Sequence, residues 1–175
     1  MTDKEYKDTV MQISDRVMRF LVKNLRSSRM NTDTGLCSGE YYEDARDILQ
    51  DSLITLWNNK TDVEFAKAKS YLFTVAYRNM LNVLKQTKIR TDRIKEMHNF
   101  HDAKAVGRET DYDNKQLINR AMEQLPENMR SCLLLKDWEG YKTSEISQIT
   151  GISEQNVKIT LFRARKKLRE ILKDM

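Results

Sequence analysis

The 175-residue chain is 33% charged and 39% hydrophobic, with five glycines, one proline and a formal net charge of +5. Turn-forming residues are too scarce for an all-β chain, so the composition predicts an all-α protein. No apolar run nears the roughly 18 residues of a membrane span, and the opening "MTDKEYKDTV" is too polar for a signal peptide. The reading therefore expects no membrane insertion and a cytoplasmic location.

Tyr6, Val10, Ile13, Val17, Phe20 and Leu21 recur at three- and four-residue steps and predict a long first helix with one buried face, ended by "RSSRMNTDTGLCSGE". A second helix is expected from about Glu43 to Asn58, with Ala45, Ile48, Leu49, Ser52, Leu56 and Trp57 inward. Asp44, Asp47 and Asp51 step by three and four along its other side, beside Gln50. Such carboxylates could serve a metal-dependent nuclease or a di-iron bundle. No Glu-x-x-His accompanies them, however, and the two histidines are His98 and His101, far along the chain. No metal or cofactor is expected, and the acidic face is read as a solvated or protein-docking surface.

A third helix begins near Phe65 and turns Leu72, Val75, Ala76, Met80, Val83 and Leu84 inward. Lys67, Lys69, Arg78, Lys85 and Lys88 surround Tyr71, Phe73 and Tyr77 on it. Cations track a phosphate backbone and rings stack on unpaired bases, so the helix is a candidate single-strand binder. Rings at helical spacing also fill cores, and only one or two of the three are expected at the surface.

Periodicity fades from Arg90 to Asn114, which reads as a polar linker. Beyond it, Leu117, Ile118, Ala121 and Leu125 predict a helix stopped by Pro126; another runs from Met129 to Trp138, and two short ones lie around Ile146 and from Ser153 onward. The organisation expected is a helical domain at 1–90, a linker at 91–112 and a smaller helical domain at 113–175. Charge follows these blocks, with −3 over 1–64, +7 over 65–108, −3 over 109–141 and +4 over 142–175. Two basic blocks imply two polyanion-facing surfaces. Cys37 in "GLCSGE" and Cys132 in "SCLLL" show no ligand or disulfide spacing and read as reduced structural thiols.

"TSEISQITGISEQNVKITLFRARKKL" has the grammar of a helix-turn-helix. Ile146 and Ile149 face inward, Gly151 supplies a left-handed residue, Ile152 fills the corner, and Ser153 caps the next helix with Glu154 in its first turn. Val157, Leu161, Ala164 and Leu168 define the buried stripe. At 100° per residue, Gln155, Ile159, Phe162, Arg163 and Lys166 point outward, with Lys158, Arg165, Lys167 and Arg169 adding charge. Amides and guanidinium groups on such a face can reach base edges while flanking cations meet phosphates.

"LPENMRSCLLLKDWEGYKTSEISQITGISEQNVKITLFRARKKLRE" resembles the −35-binding domain of bacterial RNA polymerase sigma factors of the extracytoplasmic-function (ECF) group. "DARDILQDSLITLW" is similar to that family's polymerase-binding helix and "AKSYLFTVAYRNMLNVLKQ" to its promoter-opening helix. The resemblance implies a transcription initiation factor, not itself an enzyme, whose partners are core RNA polymerase and promoter DNA, with an anti-sigma factor or other recruiting protein as a further partner. It implies that Asp47, Gln50 and Asp51 dock on the clamp coiled coil of the largest polymerase subunit. It assigns Gln155, Lys158, Ile159, Phe162, Arg163, Arg165 and Lys166 to the −35 duplex. Tyr71, Tyr77, Arg78, Asn79, Asn82, Lys85 and Lys88 go to the opened −10 strand, with a base flipped into a pocket. The sequence departs from the family at Ile159 and Thr160, where Ser-Arg is frequent, at Tyr71, where tryptophan is usual, and at Arg78-Asn79, a pair usually one residue earlier. The alternative is a stand-alone helix-turn-helix activator with an N-terminal dimerisation or sensing module.

Overall fold

A computed structural model describes residues 1–30, 40–97 and 114–174. Cys37, His98, His101 and most of the expected linker lie outside them. Every element is helical: α1 (Asp3–Met30), α2 (Glu40–Asn58), α3 (Phe65–Met97), α4 (Asn114–Glu123), α5 (Glu127–Leu133) running into a π-helical turn (Leu134–Trp138), α6 (Thr143–Thr150) and α7 (Glu154–Lys173). Helices α1 to α3 form one group and α4 to α7 a second, smaller one.

Many of the expected inward residues, joined by Leu25, make the first core. Val17, Leu21, Leu25, Ala45, Leu56, Leu72, Ala76 and Met80 are fully buried where α1, α2 and α3 meet. Phe20 and Phe73 close it edge to face at 5.6 Å. Trp57 departs from its expected inward place and is 41% exposed. It sits one residue from the end of α2, where no third helix covers it, and instead meets the edge of Tyr6 at 4.9 Å and the Lys60 ammonium at 3.4 Å. Helix α3 continues past Arg90, because no glycine or proline interrupts the stretch with Arg93, Lys95 and Glu96 that follows.

In the second group, Leu125, Leu133, Leu135, Ile146, Ile149, Val157, Leu161 and Ala164 are buried. The same apolar cluster runs on into the first group without a break. Phe73 of α3 packs edge to face on Tyr141 at 5.3 Å, joining the two.

Candidate nucleic-acid interface

The turn that aims α7 is fixed by backbone chemistry. Gly151 has φ +77°, and its N–H donates to the Ser147 carbonyl at 2.9 Å, ending α6. The Ser147 hydroxyl donates to the Ile152 carbonyl at 2.6 Å and pins the corner. Ser153 then accepts the Asn156 N–H at 3.3 Å and starts α7, as its side-chain chemistry requires.

From that start the stripe Val157, Leu161 and Ala164 is buried, Leu168 is half-buried, and Gln155, Lys158, Ile159, Phe162, Arg163, Arg165 and Lys166 are all exposed. Phe162 is 67% exposed, a ring on the helix surface. The cations differ in freedom. Arg163 has no hydrogen bond or ion pair among the described residues. Lys166 has only a loose 3.9 Å approach to Glu170, whereas Arg165 donates to Asp137 of the π-helical turn at 2.8 Å. Arg165 therefore braces α7 against the π-helical turn.

The α3 residues divide into two faces. Taking Arg78 as the origin, Tyr71, Asn82 and Lys85 fall within about 40° of it at 100° per residue. Arg78, Asn82 and Lys85 are exposed and Tyr71 half-buried, so these four form one stripe. At its N-terminal end, Tyr71 and Lys67 line an open cleft of about 330 Å³ with Asn59, Asp62, Val63 and Glu64. The turn between α2 and α3 supplies four of these residues, none of which the sequence reading singled out.

Tyr77 does not belong to this stripe. It is 5% exposed, 6.5 Å from Phe20, with its hydroxyl against Ser131 of α5. Burial pushes its phenol pKa well up. Its place about 100° around the helix makes it a core ring, and the expectation that it stacks on bases is corrected. Phe73 is likewise fully buried. Asn79 is half-buried and its amide donates to the Ser52 hydroxyl at 3.4 Å, so it faces α2. Lys88 is exposed but lies to one side of the stripe.

On α2, Asp47, Gln50 and Asp51 are exposed on the side opposite the buried Ala45, Ile48 and Ser52. Ile54, one turn further, is half exposed and continues that face. The three surfaces thus sit on three different helices: polar-basic-aromatic on α7, aromatic-basic on α3 and acidic on α2.

Comparison with known proteins follows the same division. Residues 115–168 match the family model described as Sigma-70, region 4. The chain is 30% identical over 129 residues to RNA polymerase sigma factor SigV of Bacillus subtilis, covering 73% of this chain and 75% of that protein. It is 29% identical over 131 residues to ECF RNA polymerase sigma factor SigM of the same organism, covering 73% and 78%. A solved structure of similar fold is the sigma factor RpoE of Bartonella quintana in complex with the anti-sigma factor NepR, with a TM-score of 0.67 and 21% identity over 97% of this chain and 98% of that one.

Proposed function

The chain belongs to the ECF group of bacterial RNA polymerase sigma factors, and from that premise we propose how its three exposed surfaces divide the work of initiation. It is a transcription initiation factor, and its partners are core RNA polymerase and promoter DNA. Sigma factors are not themselves enzymes; in this reading the polymerase supplies all the chemistry, in the cytoplasm. The α7 face reads the −35 duplex, the α3 stripe takes the separated −10 strand, and the acidic α2 face docks on the polymerase. The anti-sigma partner of the Bartonella quintana protein suggests that a regulator of that kind also binds this chain.

The observation that carries the reading is the α7 face. A recognition helix with an unpaired arginine, an exposed ring and amides over its first turns has the donors a major groove requires. Helix dimensions fit the assignment: Gln155 to Lys166 spans about 16 Å, so early residues reach base edges while later ones meet the backbone. On α3, Tyr71 at the mouth of its cleft supports base capture, with Arg78 and Lys85 following the strand. Asn79 and Tyr77 are left out of that role.

The test is binding to core polymerase. Asp47→Ala with Gln50→Ala is expected to abolish pull-down of core polymerase by the full chain while leaving its helix content unchanged. Undiminished pull-down by the double mutant would show the docking face to be elsewhere.

A further inference from the structure

Two large apolar side chains stand in the middle of the polar face of α7. Ile159 is 39% exposed and Phe162 67%, and neither belongs to the apolar cluster that holds the helices together. Measured from Val157 at about 100° per residue, the stripe of Val157, Leu161, Ala164 and Leu168 centres near 10°. Ile159 falls at about 200°, almost directly opposite, with Phe162 about 60° to one side of it and Arg163 about 40° to the other. Gln155 lies one turn before Ile159 and Lys166 two turns after it, close to the same line.

One apolar residue alone on a surface needs no explanation. Two neighbours on one helix face do, because lysine, arginine or glutamate would suit a merely solvated position better than isoleucine or phenylalanine. The surroundings of the pair decide its occupant. Lys158, Arg163, Lys166 and Lys167 are all exposed around it, and apart from the 3.9 Å approach of Lys166 to Glu170 no ion pair holds them among the described residues. Covering these cations with an apolar protein surface would strip their water without return. Free cations around an apolar centre fit a polyanion that itself carries an apolar spot.

A DNA duplex has such a spot. The base edges in its major groove present hydrogen-bond donors and acceptors, and the C5 methyl of thymine is the apolar exception. A hydrocarbon side chain neither donates nor accepts, so against any other edge Ile159 would leave a base polar group facing carbon. Against a thymine methyl it buries apolar surface on apolar surface. The β-branched side chain also has one strongly preferred rotamer in a helix, so it presents its methyl groups in a fixed place and loses little freedom on contact. Phe162 stands three residues on, about 4.5 Å further along the axis.

We propose that Ile159 is a specificity-determining residue that selects thymine at one position of the −35 duplex through its 5-methyl group, with Phe162 shielding that contact from water. The proposal rests on the sigma-factor reading for the DNA being a −35 element; the methyl contact itself rests on the α7 face. Ile159 stands where the family frequently has serine, a hydrogen-bonding residue, so the preference is a property of this chain. Arg163 reads by hydrogen bonds and Ile159 by a methyl, so the two preferences fall on different base pairs. Burial of one methyl-sized group corresponds to about fourfold in affinity.

The experiment uses the full chain with core polymerase. A preferred −35 element is selected from promoter fragments randomised there, and each of its thymines is then replaced in turn by uracil, which lacks only the 5-methyl. Uracil at one position is expected to lower wild-type affinity about fourfold. Ile159→Val is expected to keep that loss, and Ile159→Ser to abolish it while preference elsewhere in the element is kept. At the same position 5-methylcytosine is expected to bind wild type better than cytosine. A selected element without thymine, or wild-type affinity indifferent to uracil at every thymine, overturns the proposal without recourse to any variant. A uracil penalty undiminished in Ile159→Ser overturns it too, by giving the methyl to another side chain. Weaker binding of Ile159→Ser to core polymerase without DNA would make the patch a protein contact and likewise overturn it. If wild type binds no core polymerase, the sigma-factor reading fails, while the same selection and uracil series on the full chain alone at low salt still decide the methyl contact.

Discussion

Replacing Arg130 with methionine is expected to cost about 3 kcal/mol of stability. The guanidinium is buried and uses all three nitrogens on backbone carbonyls: Nε to Met122 at 3.2 Å, Nη1 to Asn24 at 2.8 Å and Nη2 to Leu125 at 2.7 Å. The Met122 carbonyl is in the last turn of α4 and that of Leu125 just beyond its end, where the helix dipole favours a cation. Arg130 thus ties the α4 to α5 corner at Pro126. At about 2 kcal/mol each, three charge-assisted bonds contribute roughly 6 kcal/mol. Against this, burial lowers the Arg130 pKa to about 10, a displacement equivalent to roughly 3 kcal/mol. The difference, about 3 kcal/mol, is at the lower end for breaking a buried charged network. For a chain of this length it corresponds to a Tm decrease of roughly 6–12 °C. Glu127, whose carboxyl pKa is raised by burial and lowered by Arg130, loses a favourable cation at the same time. Thermal unfolding followed by circular dichroism at 222 nm measures the effect, with Arg130→Lys as an intermediate because one ammonium cannot reach three carbonyls. A Tm within about 2 °C of wild type for Arg130→Met would refute the reasoning.

Arg163→Ala, in complex with polymerase, is expected to cost roughly 1–3 kcal/mol on the preferred −35 sequence and relax preference at one base pair, while Lys166→Ala weakens all sequences alike and lowers the salt slope by about one. Promoter-fragment affinities across single −35 substitutions and several salt concentrations separate the two; the reverse pattern would mean that the register of α7 on DNA is wrong. The Cys132 thiol is pushed up to about 11 by burial, above its value near 8.5 in an unfolded chain. Its contribution is therefore complete below about pH 8.5 and lost as pH rises through about 11, so the urea midpoint falls across that window and Cys132→Ala flattens the fall. An unchanged pH slope in the alanine variant would assign the loss to Tyr77 and Tyr141, whose hydroxyl pKa values burial also raises.

The helix-turn-helix was legible because each local signal agrees with the others. Gly151 needs a left-handed backbone, Ser153 needs a helix start, and the apolar steps from Val157 admit one buried face. The division of α3 was only half legible. Periodicity placed Leu72, Ala76 and Met80 inward, but it could not tell that α5 would cover Tyr77, since a ring at the boundary of an apolar stripe is buried only if another element lies over it. Asn79 was misplaced for the same reason, its partner Ser52 being on another helix. The two-domain reading itself hid the junction. Glu123, Glu139 and Glu145 look like ordinary surface charges until the fold sets them against Arg26, Arg16 and Lys69. Arg130 is the extreme case: nothing in "PENMRSCLLL" distinguishes a buried arginine from a solvated one.

The pairing of charges also bears on how much DNA the free chain can hold. Of the α7 cations from Lys158 to Arg169, Arg165 is bonded to Asp137 and the Arg169 Nε to the Arg165 carbonyl, leaving Lys158, Arg163, Lys166 and Lys167 as the ready phosphate or base contacts. With Arg163 on a base, about three phosphates are neutralised, and affinity should fall with salt at a log–log slope of roughly −3. A recognition helix of that strength, with one arginine for base readout, gives weak duplex binding on its own. The proposed docking through α2 would change the arithmetic, because polymerase already on the DNA would present α7 to the −35 element at a high effective concentration without adding any contact to it. The full chain without polymerase is accordingly expected to show no nanomolar promoter preference and a shallow salt slope in fluorescence anisotropy. A tight, dimeric complex on a palindromic duplex would contradict this and favour the stand-alone activator, since two-fold pairing of recognition helices is how a reader this small gains affinity without polymerase.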